Sequence, residues 1–377
     1  MELIRASLTP FALPLVRSVK TGRETIDERR GILLEIGDSC GLKGWGEATP
    51  MDGFGTESFW EAWDCLVQFL PVLLEKEPGS IDRTVERFRV AFPAANAALS
   101  ALDTALCDLS ARQQGCSMAT FLAGEFRTDA RLTIKVNALL TAQDTAAIVA
   151  EAGEKFLQGF RTFKIKVGVL SVEEDLDRVG AVRKKLGDGV NIRLDANGAW
   201  TRDEAARALQ ALSSFDIEYI EQPLSAGDLQ GSADLRGIQP VPLAADESVC
   251  SVEDMEKVLK YGAADYIILK PAAAGGPRMG MYMGKRAAGY AVPCVITTLM
   301  DGAVGRAMAT HVAASLSFQQ SCAAGLATGS LLSADLSGGL KVQDGKISLN
   351  EVKGLGVDID PNQLAKVASA ETTEFVR

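Results

Sequence analysis

The sequence contains almost no histidine: His311 is the single one among 377 residues. A serine–histidine catalytic pair needs such a residue at its centre, and a multi-histidine zinc site needs several. His311 itself lies on the apolar side of the helix-like stretch VGRAMATHVAASL, so we interpret it as a core residue. The sequence therefore disfavours both classes of site.

Cysteine pairs and long apolar runs are missing as well. The seven cysteines show no CxxC spacing, which predicts reduced thiols in the core of a cytoplasmic protein. No stretch approaches the ~18 apolar residues that a membrane-spanning helix needs. The start, MELIRASLTPFALPLVRSVK, lacks the basic residues and long apolar core of a secretory signal. We expect neither a membrane span nor export.

Runs of basic residues are also absent. The formal net charge is −10, whereas a nucleic-acid-binding protein usually carries a basic patch. We therefore expect a small-molecule partner and no nucleic acid.

The chain is too long for one ordinary core and is predicted to have two parts. In residues 1–128, RGILLEIGD and GLKGWGEATP are typical of strands. ESFWEAWDCLVQFLPVLL and AANAALSALDTALCDLSARQQG have the apolar spacing of helices. This part is predicted to be an α+β domain.

In residues 129–340, short apolar strands alternate with amphipathic helices. The predicted strands are LTIKVNALL, FKIKVG, NIRLDAN, IEYIEQPL, VPLAADE, DYIILKP, AVPCVITTL and a last one near AAGLATG. Such repeated βα units imply parallel strands, and seven or eight units favour a closed barrel. The tail, residues 341–377, is predicted to return to the first domain.

Charged side chains recur at or near the carboxyl ends of successive predicted strands. They are Lys164 and Lys166 in FKIKVG, Asp195 in RLDAN, Glu221 in IEQP, Asp246 and Glu247 in LAADES, and Lys270 in IILKP. In a parallel barrel these ends form the face on which active sites are built. We expect the charges to meet around one mouth.

Three of these charges predict a metal site. Carboxylates so close together would repel each other unless a cation joined them. Oxygen ligands suit a hard ion, so Asp195, Glu221 and Asp246 are predicted to bind Mg²⁺. The alternation of strand side chains places Arg193 and Asn197 on the face of Asp195. Arg193 is a candidate substrate contact, and Asn197 a candidate ligand of the outer metal shell or of a substrate oxygen.

The lysines then predict acid–base chemistry. A partly desolvated lysine beside another cation has a lowered pKa and can act as a base. We expect Lys166 and Lys270 to approach the substrate from opposite sides and to remove a proton next to a carboxylate. Each charge alone has an ordinary alternative: a solvated strand-end lysine, a helix cap at Asp246, or a turn at Asp195. The recurrence of these charges at the ends of successive predicted strands favours an active site.

Together, KIKVG, LDANGAW, IEQP, ADES and ILKP resemble the muconate-lactonising subgroup of the enolase superfamily, and the resemblance covers the whole chain. It implies an α/β fold: a modified (β/α)7β TIM-like barrel. An α+β capping domain would be built from the N-terminal segment and the C-terminal tail.

The resemblance also implies roles for single residues. Lys166 matches the general base of a Mg²⁺-dependent reaction through an enediolate. Lys164 matches the neighbour that tunes it, and Lys270 the lysine on the opposite face. Asn197 and Glu247 match supporting residues. The three carboxylates match the metal ligands, and a homo-oligomer is implied as well.

Within the subgroup, RLDANGAWT, GEATPMDGFGTES, VITTLMDGAVGRAMATHVAASL and GLATGSLL resemble the o-succinylbenzoate synthases of menaquinone biosynthesis. The implied activity is that of a lyase that removes water from a succinyl-bearing hydroxycyclohexadiene carboxylate. Residues 16–31 and 51–58 are expected to cover the barrel mouth.

Three alternatives remain. An N-acylamino-acid racemase or a dipeptide epimerase would use the same lysine pair, but the epimerases usually have an Asp-x-Asp near the eighth strand. Here no acid follows AAGLATGSLL until Asp335. A silent binding barrel would have no reason to keep the charge set. The chain also departs from many subgroup members, because Met300-Asp301-Gly302 replaces a Glu-Ser pair.

Overall fold

The computed structural model describes residues 2–20, 25–51, 53–75, 80–238, 240–316 and 322–377. Within these ranges, the N-terminal part has three strands and four helices. They are β1 (Leu3–Lys20), β2 (Thr25–Asp38), β3 (Lys43–Ala48), α1 (Phe59–Glu75), α2 (Ile81–Ala91), α3 (Asn96–Gln113) and α4 (Met118–Phe126).

The central part alternates strands and helices, as the sequence pattern predicts. Its strands are β4 (Thr133–Lys135), β5 (Ala138–Leu140), β6 (Thr162–Lys166), β7 (Asn191–Asp195), β8 (Ile217–Glu221), β9 (Leu243–Ala245), β10 (Tyr266–Leu269) and β11 (Cys294–Ile296). Its helices are α5 (Thr145–Leu157), α6 (Val172–Leu186), α7 (Arg202–Leu212), α8 (Leu229–Ile238), α9 (Val252–Tyr261), α10 (Pro271–Ala274), α11 (Pro277–Ala288) and α12 (Ala303–Ser315).

The C-terminal part contains β12 (Val342–Gln343), β13 (Lys346–Ser348), α13 (Pro361–Val367) and β14 (Thr373–Val376). β14 pairs antiparallel with β1 and completes a sheet of order β14-β1-β2-β3. β13 pairs instead with β4 beside the barrel, and β12 pairs with the other edge of β13. The tail therefore contacts both parts of the chain. None of the helices in the described ranges is both long and apolar enough to cross a membrane.

The barrel sheet runs β5 to β11 with all strands parallel and in chain order. The segment around Ala324 and Gly325 closes it: Ala324 bridges to Val136 just before β5, and Gly325 bridges to Thr297 just after β11. The ring thus has eight members, seven strands and one short closing segment. The fold is the capping domain and TIM-like barrel that the sequence predicts.

The stretch LTIKVNALL differs from its prediction as one strand. β4 pairs antiparallel with β13, whereas β5 pairs parallel with β6. The chain changes sheets at Val136 and Asn137, because its partners on the two sides of that point run in different directions.

Local signals fix the helices behind the strands. Ser171 and Thr201 begin α6 and α7 with reciprocal capping boxes to Glu174 and Glu204. Each of these helices starts a few residues after a strand that carries a candidate catalytic side chain. The strand ends are therefore held by regular βα turns.

The cap has a core of its own, in which α3 lies against β3. Gly46 permits this close approach, since an added Cβ would lie 1.9 Å from the carbonyl oxygen of Ala101. Phe11 and Leu13, in the middle of β1, pack into the core of the barrel instead. β1 therefore runs from one core to the other and fixes the cap over the barrel.

Candidate active site

The charged residues singled out in the sequence lie at one end of the barrel. Asp195 and Glu221 are the last residues of β7 and β8, while Asp246 and Lys270 directly follow β9 and β10. Lys166 pairs in register with Asp195, and Asp195 with Glu221. Paired residues of parallel neighbours point to the same face, so these side chains stand side by side.

Lys164 lies between two carboxylates. Its Nζ is 2.9 Å from Asp195 Oδ2 and 2.7 Å from Glu221 Oε1. Burial disfavours the ammonium form, but the charges of Asp195 and Glu221 outweigh it and raise the pKa of Lys164 well above its ordinary value. Lys164 is therefore held as an ammonium between the two carboxylates.

The two other lysines lie on opposite walls. β6, with Lys166, and β10, followed by Lys270, are four positions apart in the sheet order. In a ring of eight, four positions are half the circumference. The ammonium of Lys270 contacts the carboxylate of Asp246, and the Lys166 charge acts on Asp195. The three carboxylates span the arc between the two lysines.

The carboxylates lack enough positive charge to be ionised together. Burial raises the pKa of Asp195, but the charges of Lys164 and Lys166 outweigh burial and lower this pKa below its ordinary value. Burial and the charge of Asp195 raise the pKa of Glu221 well above its usual range. Burial and Asp246 likewise raise the pKa of Glu247. Additional positive charge would stabilise the ionised cluster.

A further observation fits a cation. Among the described residues, buried Glu247 Oε2 has no hydrogen-bond partner, while Glu247 Oε1 accepts a 3.0 Å bond from Asn197 Nδ2. Asn197 has a φ of 43°, and its backbone N–H donates to Asp195 Oδ1 at 3.1 Å. Asn197 thus connects Asp195 with Glu247. The candidate metal-binding atoms of the carboxylates are all oxygens, which a hard divalent ion prefers.

In the ranges that the structure describes, no three Asp, Glu, His or Cys side chains are arranged to hold a metal directly. Lys164 bonds to Asp195 and Glu221, and Lys270 to Asp246. The residues fit Mg²⁺ by donor type and by charge. Binding it would require the ammonium groups to move off the carboxylates.

Gln222 is a site residue that the sequence reasoning missed. It follows Glu221 with a φ of 40°, and its Oε1 accepts bonds from the backbone N–H groups of Asp246, at 3.1 Å, and Ser248, at 3.2 Å. Its amide therefore ties the end of β8 to the end of β9. The signal was present in IEQP, where a polar residue lies between a buried acid and a proline.

A cavity of about 70 Å³ is lined by residues of the barrel strands and of the closing segment. Leu139, Ile268 and Val295 supply apolar walls, and Lys164 and Glu221 supply charge. The remaining lining residues are Asn137, Tyr219, Thr297, Gly325, Ala327 and Thr328. The cavity therefore offers a mixed surface with both an ionic and an apolar side.

An apolar cluster joins the cap to the barrel near Lys270. Its buried members are Ile26, Met51, Ala273 and Leu299, with Leu15, Phe54 and Met300 packed against them. Ile26, Met51 and Phe54 come from the two segments expected over the mouth. Residues 21–24 and 52 of those segments lie outside the described residues.

Arg193 lies elsewhere than expected. It is fully buried, and its guanidinium bonds to Glu218 at 2.7 Å, to Asn137 Oδ1 at 3.2 Å and to the carbonyl of Ala323 at 2.7 Å. Ala323 belongs to the closing segment of the barrel. We therefore assign Arg193 to closing the barrel wall and not to contacting substrate.

His311 is a core residue. Its Nδ1 accepts from the backbone N–H of Ala119 at 3.0 Å, and its Nε2 lies 3.1 Å from the carbonyl of Leu355. Burial lowers its pKa to about 4. The neutral ring joins α12, α4 and the C-terminal part.

Asp301 lies behind the mouth rather than in it. It is buried, accepts a 2.7 Å bond from Thr49 Oγ1, and neighbours Glu47 of β3. This acid, in the segment where the chain departs from the subgroup pattern, connects the cap and the barrel.

Two family models match the chain. The one described as "Mandelate racemase / muconate lactonizing enzyme, N-terminal domain" matches residues 4–123, and "Enolase C-terminal domain-like" matches residues 147–363. These matches correspond to the cap and the barrel.

Individual relatives carry different activities in their names. The o-succinylbenzoate synthase of Geobacillus kaustophilus is 30% identical, covering 91% of this chain and 89% of its own. Muconate cycloisomerase 1 of Pseudomonas putida is 29% identical, covering 94% and 95%. The N-succinyl Arg/Lys racemase structure from Bacillus cereus superposes with a TM-score of 0.89 over 100% of both chains, at 24% identity, which shows the fold alone.

Proposed function

Because the chain belongs to the muconate-lactonising subgroup of the enolase superfamily, we propose that it is an o-succinylbenzoate synthase. The substrate is a succinyl-bearing hydroxycyclohexadiene carboxylate, and the product is the aromatic acid formed by loss of water. One observation carries the proposal: three carboxylates in neighbouring positions lie between two lysines on opposite walls, and one of them, Glu221, lines a cavity with an apolar side.

Lys166 acts as the base. It removes the proton next to the substrate carboxylate and returns a proton to the leaving hydroxyl on the same face. One group can serve both steps because both bonds face the same wall of the barrel. No second acid is needed on the opposite side.

Lys270 lies on the opposite wall. Its ammonium faces the negative charge that develops on the substrate when the proton leaves, and stabilises it. Lys164, two residues before Lys166 on the same strand, adds positive charge beside it. Asn197 and Gln222 keep the ends of β7, β8 and β9 in place.

Asp195, Glu221 and Asp246 would hold Mg²⁺. When bound, the ion supplies positive charge next to the substrate carboxylate and makes the neighbouring proton more acidic. Glu247, whose buried Oε2 bonds to none of the residues that the structure describes, and Asn197 support the three ligands from the side.

The segment after Gly325 favours this reaction over dipeptide epimerisation. Ala327 and Thr328 line the cavity there with a methyl and a hydroxyl group. The first acid that follows, Asp335, bonds to Arg306 at 2.6 Å and to the backbone N–H of Ala303 at 2.9 Å. It is therefore engaged in structure, and a free substrate ammonium has no carboxylate partner in this segment.

N-acylamino-acid racemisation is the second candidate. It is favoured by the half-circumference separation of Lys166 and Lys270, since a racemase needs a base on each face of the α-carbon. An N-acyl substrate also lacks a free ammonium, so the cavity lining does not separate it from the synthase substrate.

The test is an assay of the Mg²⁺-loaded protein with the hydroxycyclohexadiene carboxylate, following the absorbance of the aromatic product. We expect turnover that Lys166→Ala abolishes. The same preparation is offered N-succinyl amino acids, and α-proton exchange into ²H₂O is followed by NMR. Racemisation there with no dehydration would replace the synthase by the second candidate.

A further inference from the structure

The ammonium of Lys270 has two neighbours from different parts of the molecule. One is the Asp246 carboxylate in the barrel. The other is the ring of Phe54, whose centroid lies 4.2 Å from Lys270 Nζ and which belongs to the cap. The Lys270 side chain is only 10% exposed. An ammonium is attracted to the face of an aromatic ring, and more strongly where water is excluded.

The position of Phe54 is set by the residues on both sides of it. The Gly53 carbonyl accepts from Cys250 Sγ at 3.8 Å. A Cβ on Gly55, which has a φ of 76°, would lie 3.0 Å from Cys250. Thr56 Oγ1 bonds to the backbone N–H of Met51 at 2.8 Å. The segment is thus closed on itself and docked on the loop that follows Asp246.

Its far end is fixed to the cap. Glu57 accepts bonds from the backbone N–H groups of Ala97, at 3.0 Å, and Ala98, at 2.7 Å, at the start of α3. Asn96 Nδ2 donates to the Gly55 carbonyl at 3.2 Å. The Phe54 ring is therefore carried between an anchor on the barrel and an anchor on α3.

We propose that Phe54 is a positioning residue for Lys270. Its ring, held by residues 53–57 against Cys250, keeps the ammonium of Lys270 in place at the end of β10, on the wall opposite Lys166. Docking of the cap thereby sets the geometry of one of the two lysines that flank the substrate. The inference rests on the part that Lys270 plays in the proposed function and adds a cap residue to it.

Without the ring, the balance of forces on Lys270 changes. The charges of Asp246, Glu221 and Glu247 still act on it, and the freed side chain gains rotamers that point away from the substrate. Removal of the ring should therefore lower kcat more than it weakens substrate binding, because the charge of Lys270 matters most when the substrate becomes negative.

The test compares Phe54→Leu, which removes the ring, with Phe54→Tyr, which keeps it. Phe92→Leu is the matched control, because Phe92 packs against the core of the cap. In the Mg²⁺-loaded enzyme we expect Phe54→Leu to lower kcat about tenfold, with a smaller change in KM, whereas Phe54→Tyr stays within about twofold. Phe92→Leu should leave kcat unchanged.

A second readout does not depend on the reaction. In protein labelled with ¹³C-lysine, the Nζ-adjacent methylene of Lys270 should show a ring-current shift, assigned through Lys270→Arg. Phe54→Leu should abolish the shift, and Phe54→Tyr and Phe92→Leu should keep it. The proposal is overturned if the ring-current shift of the Lys270 methylene persists in Phe54→Leu. It is also overturned if Phe54→Leu and Phe54→Tyr lower kcat equally.

The two readouts also separate this inference from the proposed function. The kinetic comparison uses α-proton exchange with whichever carboxylate the wild-type protein accepts. A protein without dehydration activity, in which Phe54→Leu still removes the shift and slows exchange, would contradict the synthase and support Phe54. Dehydration that proceeds at the full rate in Phe54→Leu would support the synthase and contradict the role of Phe54.

Discussion

Replacement of Glu47 by glutamine is expected to change how the stability of the protein depends on pH. Glu47 lies in β3 of the cap and is 2% exposed. Its carboxylate accepts bonds from the backbone N–H groups of Gly302, at 2.5 Å, and Gly305, at 2.9 Å. It therefore caps α12 of the barrel from the other domain, since Gly302 has no side chain to do so.

Burial and the nearby charge of Asp301 raise the pKa of Glu47 from 4.5 to about 8. The folded protein thus binds a proton that the unfolded chain releases at lower pH. The resulting stabilisation is complete below pH 4.5 and is lost as pH rises through about 8. In full it amounts to roughly 5 kcal/mol, of which roughly 3 kcal/mol is lost between about pH 5.5 and 8.5.

Glutamine keeps the size of the side chain but cannot titrate. The free energy of unfolding of the wild type, minus that of Glu47→Gln, should therefore fall by about 3 kcal/mol between about pH 5.5 and 8.5. The assay is urea unfolding at fixed Mg²⁺, followed by circular dichroism and tryptophan fluorescence, with the two transitions required to coincide. Glu154→Gln, at an exposed position on α5, is the control. A wild-type–variant gap that stays constant across this range would refute the reasoning.

Four other outcomes are expected. Lys166→Ala should lower kcat at least about a thousandfold with unchanged circular dichroism, and turnover at the wild-type rate would remove Lys166 as the base. EDTA should abolish turnover, and added Mg²⁺ should raise the melting temperature; a chelated enzyme of full activity would contradict the metal site. Glu247→Gln should weaken Mg²⁺ binding about tenfold by calorimetry, and unaltered affinity would exclude its support of the ligands. Gly46→Ala should destabilise the protein by about 1–3 kcal/mol in urea because of its clash with Ala101, and an unchanged unfolding midpoint would show that α3 can move away.

The order of the barrel strands was accessible from the sequence because the signal is local and repeated. Each βα unit has its own apolar strand, its own turn and its own helix start, such as the capping box at Ser171. The charges at the strand ends then follow from the parallel arrangement alone. A strand-end carboxylate such as Asp195 or Glu221 must lie on the same face of the barrel as its neighbours.

Other features were decided only when the ring closed. Nothing near Arg193 in the sequence indicates that its partners are Glu218, Asn137 and the Ala323 carbonyl. The same holds for the switch of the chain between β4 and β5, which depends on the position of β13. The hydrogen-bond and strand-pairing partners in these cases lie far away along the chain. The spacing of residues within one strand or helix therefore does not indicate which partner each of them has.

The sequence by itself thus determined the alternating elements, the metal-ligand candidates and the lysines, because these depend on side-chain type and on spacing along one βα unit. The tertiary structure alone placed the Phe54 ring over Lys270 and Glu47 at the start of α12. These contacts arise where closure of the barrel and docking of the cap bring distant segments together, so their cause is packing in three dimensions.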